Sequence, residues 1–196
     1  MGKKLGIKFL TEGMACRMVF RRGPSVFGGC FCNFSNMTTK ELDVIYLRQA
    51  IELAQKGVAE GMGGPFGCVI VRDGVVVGKG CNRVTSANDP TAHAEVVAIR
   101  DACQHLGDYQ LTDCDVYASC EPCPMCLGAL YWARPRRVVF AATRDEAAAA
   151  GFDDALIYQE IGLTPEDRKI PFQHCSVEEA TALFGLWKEK GNKKLY

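Results

Sequence analysis

No run of apolar residues in this 196-residue sequence approaches the length of a membrane span, so no membrane contact is expected. No secretory hydrophobic region precedes its cysteines, and the eleven of them are scattered and odd in number. A disulfide scaffold requires a paired framework in an oxidising compartment, so the expectation is a reducing cytoplasm. Net charge is also missing: 23 Lys and Arg balance 23 Asp and Glu. The balance hides an asymmetry. Residues 1–36 hold Lys3, Lys4, Lys8, Arg17, Arg21 and Arg22 against Glu12, a net of +5, which leaves −5 on the remainder. An acidic body is a poor magnet for nucleic acid, whose binding rests mainly on phosphate neutralisation. No internal repeat is visible. What is present, 48% apolar residues, suffices for one sizeable core and one domain.

The informative stretch runs from Asn88 to Cys126. It opens as Asn88-Asp89-Pro90-Thr91-Ala92-His93-Ala94-Glu95 and closes as Ser119-Cys120-Glu121-Pro122-Cys123-Pro124-Met125-Cys126. As ligands, His93, Cys123 and Cys126 supply one imidazole and two thiolates, a three-ligand zinc set with a fourth tetrahedral position left for water. Glu95, two residues beyond the histidine, is placed to handle that water's protons. Asp89 as N-cap and Pro90 at the first helical position predict a helix start there. Cys123 and Cys126, three apart, lie on one face of a second helix opened by Pro122 and Pro124. Two helix N-termini would then face one metal and favour thiolate over thiol. Alone, a Cys-x-x-Cys is often a redox pair or half of a structural site, and a His-x-Glu is usually nothing. Their joint occurrence at two helix starts separated by a strand is the known signature of zinc nucleobase deaminases.

The body predicts an alternating order of elements. Thr38 and Glu41 form a capping box for a first helix, with Leu47, Ala50 or Ile51, Ala54 and Val58 on its apolar face. Phe66–Val71 and Val75–Gly78 read as strands around an Asp73-Gly74 hairpin turn. The His93 helix, a strand at Asp115–Ser119, the Cys126 helix and a strand at Arg137–Ala142 follow. Short helices are expected at 146–150 and after Gly151. Ile170–His174 is a candidate fifth, edge strand although Pro171 lies in it, and Ser176 with Glu179 reads as a capping box for the last helix. The expected fold is an α/β, three-layer α/β/α sandwich with a mixed five-stranded sheet. Residues 1–37 read as an N-terminal extension: a targeting peptide, a disordered tail, or sequence ahead of a start at Met37. Residues 38–196 read as the zinc-dependent domain.

From about Glu41 onward the chain resembles the cytidine deaminase superfamily, and most closely its bacterial-type guanine deaminases. The resemblance rests on Gly63-Gly64-Pro65-Phe66-Gly67, the two zinc stretches, Gly151-Phe152-Asp153-Asp154 and the Lys-Lys-x-Tyr ending. The metal stretches are shared superfamily-wide; the last two matches point to guanine. The resemblance implies one zinc per chain on His93, Cys123 and Cys126. It implies hydrolytic deamination of guanine to xanthine and ammonia, with Glu95 moving protons between water, purine ring and leaving group. It further implies a hydrogen bond from Asn82 to the purine, stacking by Phe66, Asp154 facing the guanine edge, and Tyr196 closing the pocket. The family's homodimer, with its C-terminal segment swapped between subunits, and a role in purine metabolism come with it.

Taken singly, these residues have plainer readings: Asn82 as a turn residue, Phe66 as core, Asp154 as a helix cap and Tyr196 as a frayed end. His105, His174 and the cysteines at 68, 81, 103, 114 and 175 are assigned to core or surface, and Cys120 to packing. Competing functions are deamination of guanosine, cytosine or tRNA adenosine. The last calls for a basic surface, which the body lacks despite Lys188, Lys190, Lys193 and Lys194. A structural-zinc binding module without chemistry is the non-enzymatic alternative; Glu95 and the missing fourth protein ligand speak against it.

Overall fold

β1 (Gly67–Arg72) is apolar at nearly every position because it is covered on both faces. In the computed structural model, which describes residues 37–195, it lies between β2 (Val75–Cys81) and β3 (Cys114–Cys120), antiparallel to both. β4 (Arg137–Ala142) extends the sheet parallel to β3, giving the order β2-β1-β3-β4. Asp73 and Gly74 both take positive φ (50° and 78°) and close the β1–β2 hairpin, as the Asp-Gly pair predicts.

Alternation along the strands divides the core in two. Val69, Val71 and Tyr117 meet Tyr46, Leu42, Leu47 and Leu53 of α1 (Thr39–Ala59) on one face. Cys68, Ile70 and Val116 meet Ala94, Ala98 and Ala102 of α3 (Ala94–Leu106) and Leu130 and Ala133 of α4 (Pro124–Ala133) on the other. These are the three layers expected. Each fully buried aliphatic side chain contributes about 1.5–3 kcal/mol. On β2 the packing is backbone to backbone: a Cβ on Gly78 would lie 2.6 Å from the Ala98 carbonyl oxygen, and one on Gly80 would overlap that of Ala94. Small residues on both sides thus let α3 sit directly on β2, which fixes where its first turn ends up.

Short helices α2 (Val84–Ala87), α5 (Arg144–Ala149) and α6 (Ala155–Ile161) complete this part, and α7 (Glu178–Glu189) follows a 3₁₀ turn at Pro165–Asp167. The predicted Thr38–Glu41 capping box is present. Three expectations are corrected. The sheet has four strands among the described residues, not five: Ile170–His174 pairs with nothing there, Pro171 lacks an N–H, and Ile170 and Phe172 are 72% and 53% exposed. α7 starts at Glu178 with Val177 as N-cap and no side-chain capping bond, so the Ser176–Glu179 box does not form. The His93 helix begins at Ala94 rather than Pro90, for a reason given below.

The expectations for residues 1–36 and for Tyr196 lie outside the described residues. No described helix is long and apolar enough to cross a membrane.

Candidate active site

Asp89-Pro90 forms a β-turn instead of opening the helix. The Ala92 N–H donates to the Asp89 carbonyl at 3.1 Å, and the Asp89 carboxylate accepts from the Thr91 N–H (2.8 Å) and hydroxyl (2.7 Å). Asp at the first and Pro at the second position suit a β-turn as well as a helix start, so the sequence signal was ambiguous. The turn delivers His93 to the N-cap position of α3, with extended backbone (φ −67°, ψ 156°). Cys123 takes the same position on α4 (φ −65°, ψ 168°), followed by Pro124 at the first helical residue. Neither side chain caps its own helix. Both turn instead toward one point.

There His93 Nδ1 lies 3.5 Å from Cys123 Sγ and 3.6 Å from Cys126 Sγ, and the three ligand atoms fall within 4.8 Å of one another. Zn–N near 2.05 Å and Zn–S near 2.3 Å at a tetrahedral angle place nitrogen and sulfur about 3.6 Å apart. The donor set and its spacing therefore fit zinc. Cys126 is fully buried, one turn into α4, while His93 and Cys123 are half-buried.

Electrostatics follow from this crowding. The Cys126 thiol hydrogen-bonds Cys123 and, with the His93 ring, holds the Cys123 thiol down to about 4. The N-terminal dipoles of α3 and α4 act in the same direction. That same bond, burial and the Glu95 charge push Cys126 up. The bond to Cys123 raises His93. Glu95, the second residue of α3, is only 7% exposed, and burial pushes its carboxyl above the usual range. Its own backbone N–H and the Cys126 thiol pull it partly back. A carboxylate so placed is poised to take and return protons beside a metal.

Of the remaining expected residues, Asn82, Phe66 and Asp154 are described, and Tyr196 is not. Asn82 follows β2 and is buried; its N–H donates to the Phe66 carbonyl (3.0 Å), while the next residue's N–H donates to Ala92, adjacent to His93. Phe66 is half-buried and partly packed on the core. Its ring meets the edge of Phe152 at 4.9 Å and 84°. Asp154 is the N-cap of α6 but makes no capping bond; Asp153 accepts the Ala155 N–H instead, at 2.8 Å. Burial and then the Cys123 charge raise its carboxyl. Phe152 is an aromatic neighbour that sequence reasoning did not single out, although it stands two residues before Asp154.

Residues 40–142 match the family described as the cytidine and deoxycytidylate deaminase zinc-binding region. The chain is 56% identical over 151 residues to the guanine deaminase of Bacillus subtilis, a span covering 77% of this chain and 97% of that one. The X-ray structure of guanine deaminase from Bacillus subtilis superposes with a TM-score of 0.77 at 54% identity, covering 82% of this chain and 99% of that chain. A tRNA-specific adenosine deaminase of Haemophilus influenzae is 40% identical over 121 residues, 58% of this chain and 69% of that one.

Proposed function

Because this chain belongs to the cytidine and deoxycytidylate deaminase zinc-binding family, we propose that it is a zinc-dependent enzyme converting guanine and water to xanthine and ammonia. The observation that carries the chemistry is the triangle of His93, Cys123 and Cys126 with a buried carboxylate beside it. The choice of guanine rests on the Bacillus subtilis relative and on the acceptor-bearing edge at Asp154.

In this reading His93, Cys123 and Cys126 hold one zinc ion, which supplies the Lewis acidity that makes water a nucleophile near neutral pH. Glu95 would accept one proton from the attacking water and deliver it to a purine ring nitrogen, then take the second from the hydroxyl added at C2 and pass it to the 2-amino group, which leaves as ammonia while the C2 carbonyl forms. Its raised affinity for protons suits both halves of that exchange. Asp154 accepts from the N1–H and amino donors of the guanine edge, Asn82 donates to the purine, and Phe66 with Phe152 covers its face. Tyr196 completes the pocket at the end of the chain.

The substrate is a small purine. Nucleic acid is an unsuitable partner for a body of net charge −5. We place the enzyme in the cytoplasm, within purine metabolism. The eight cysteines among the described residues are all free, as a reducing compartment requires. We also propose a homodimer with the C-terminal segment exchanged. α7 leaves Leu183, Phe184 and Leu186 more than 60% exposed. A trough of about 500 Å³ between α4 and β4, lined by Leu127, Tyr131, Val138 and Phe140, offers such a stripe a seat.

Ammonia release from guanine, guanosine, cytosine, cytidine, adenine and a tRNA anticodon stem tests the substrate. Guanine should be turned over fastest; preference for the anticodon stem or for cytosine overturns the reading.

A further inference from the structure

Asn82 is 6% exposed, and its side-chain oxygen accepts two backbone N–H groups, from Gly64 and from Val84, each at 3.2 Å. Only the oxygen of an amide can accept from two donors, so the orientation of this one is fixed by the backbone. Nδ2 and its two N–H groups must point the other way. Among the described residues Nδ2 donates to no protein group, and it is not sealed from solvent, so it faces the open side of the site, where a ligand's acceptor can take the place of water. The turn that holds Asn82 is itself tight: a Cβ on Gly63 would overlap Asn82 Oδ1 and come within 2.8 Å of the Asn82 carbonyl oxygen. One on Gly64 would press on Phe66 and Phe152, at 3.1 and 3.2 Å.

We propose that Gly63 and the amides of Gly64 and Val84 are positioning residues that lock Asn82 with its donors toward the substrate, making this wall of the pocket a reader of hydrogen-bond acceptors. The inference rests on the purine reading above and specifies it. In guanine, Asp154 takes the N1–H and 2-amino donors, and O6, N3 and N7 are all acceptors. A donor-only Asn82 therefore complements whichever of these atoms it meets. Residue 63 must lack a side chain because the smallest one would displace the oxygen from its two amides.

The test is a set of variants assayed for kcat/KM on guanine, with zinc content and thermal midpoint measured alongside. Asn82→Ala removes one buried bond and should cost about tenfold. Asn82→Asp keeps the oxygen facing the two amides but turns a second oxygen on the substrate's acceptor, so it should fall at least a further tenfold. Were the amide oxygen facing the substrate, Asn82→Asp would equal or exceed Asn82→Ala, and that result overturns the proposal. Gly63→Ala should lose about tenfold in the Asn82 chain but under threefold when added to Asn82→Ala, because the side chain it acts through is gone. The thermal midpoint should drop in both backgrounds, since the contact with the Asn82 carbonyl persists. Equal activity losses in the two backgrounds overturn the role of Gly63.

If Gly63→Ala does not fold, replacing Val84 by its α-hydroxy acid takes its place: the resulting ester lacks the N–H that Oδ1 accepts and leaves the Arg83 backbone (ψ 18°) undisturbed, which a proline at 84 would not. It should lower guanine turnover threefold or more with Asn82 present and leave the Asn82→Ala chain unchanged; the same loss in both defeats the proposal. A wild-type chain that deaminates another base but not guanine defeats the substrate reading instead. The order of Asn82→Ala and Asn82→Asp on that base then decides the donor face by itself.

Discussion

Replacing Asp115 by Asn should destabilise the protein while leaving its chemistry intact. Asp115, the second residue of β3, stands opposite Arg137 of β4, and it is 5% exposed. Its carboxylate accepts from Arg136 Nε (2.8 Å) and from Arg137 Nε and one terminal nitrogen (3.0 and 2.9 Å). Arg137 also reaches across to Asp43 of α1 with two bonds of 2.7 and 3.0 Å, and the Tyr117 hydroxyl donates to Asp43. Removing a partner from a fully buried pair costs about 3–5 kcal/mol, and a single bond to a charge contributes about 1.5–3. Here the amide keeps one acceptor oxygen, Arg137 keeps Asp43, and Arg136 is mostly in water. The expected loss is therefore about 2 kcal/mol, or about 4–8 °C in thermal midpoint for a chain of this size.

Burial would raise the Asp115 carboxyl, but the bonds from Arg136 and then Arg137 outweigh it and hold it below its ordinary value of 3.8. A group depressed in the folded state stabilises above its unfolded value and loses that contribution as pH falls through the folded one. The gap between wild type and Asp115→Asn should thus be full at neutral pH and narrow in acid below 3.8. Urea unfolding followed by circular dichroism at several pH values reads both. Cys120, at the far end of β3, lies roughly 17 Å from Asp115, so guanine turnover well below the midpoint should be unchanged. Equal midpoints at neutral pH, a gap that does not narrow in acid, or a proportional loss of turnover would refute the reasoning.

Cys126→Ser should strip zinc and activity together, since a hydroxyl is a poor zinc ligand; full metal content by elemental analysis would sink the ligand assignment. Glu95→Gln should retain zinc and fold yet lose kcat by about a hundredfold or more, because an amide cannot carry protons; near-normal kcat in metal-replete protein would hand the role to another residue. A chain beginning at Met37 should deaminate guanine like the full chain, as the capping box at Thr38 and the packed core lie after it. Insolubility or lost activity would make residues 1–36 structural. Deleting Lys194–Tyr196 should lower guanine kcat/KM about ten- to a hundredfold with zinc retained, and mixing that chain with Glu95→Gln should restore some turnover if the tails are exchanged.

The zinc triangle was legible because ligand chemistry tolerates few residue types and their spacing is local: His93 and Glu95 are two apart, Cys123 and Cys126 three. The layer order was legible for the same reason, from periodicities within single elements. What escaped was anything depending on distant pairings. The Asp43–Arg137 contact joins residues 94 apart, and no local pattern announces it. Asp89-Pro90 misled because one dipeptide serves two geometries, and only the Thr91 and Ala92 amides reveal which was taken. The fifth strand failed where its own sequence warned, at Pro171. Phe152 was missed because an aromatic two residues from an acid carries no signal until Phe66 is seen against its edge.

The two helices that meet at the site begin without caps of their own, His93 and Cys123 having turned away from them. An ion bound between those side chains would clamp the first turns of α3 and α4 at once, standing in for two missing local contacts. Metal loading and the order of these turns then form a single linked equilibrium. A chelator should accordingly speed hydrogen exchange first at Glu95–Val97 and Met125–Leu127, well before the sheet behind them opens. The ion would be a joint of the scaffold as much as a reagent, and zinc starvation would be felt as fraying as well as lost turnover.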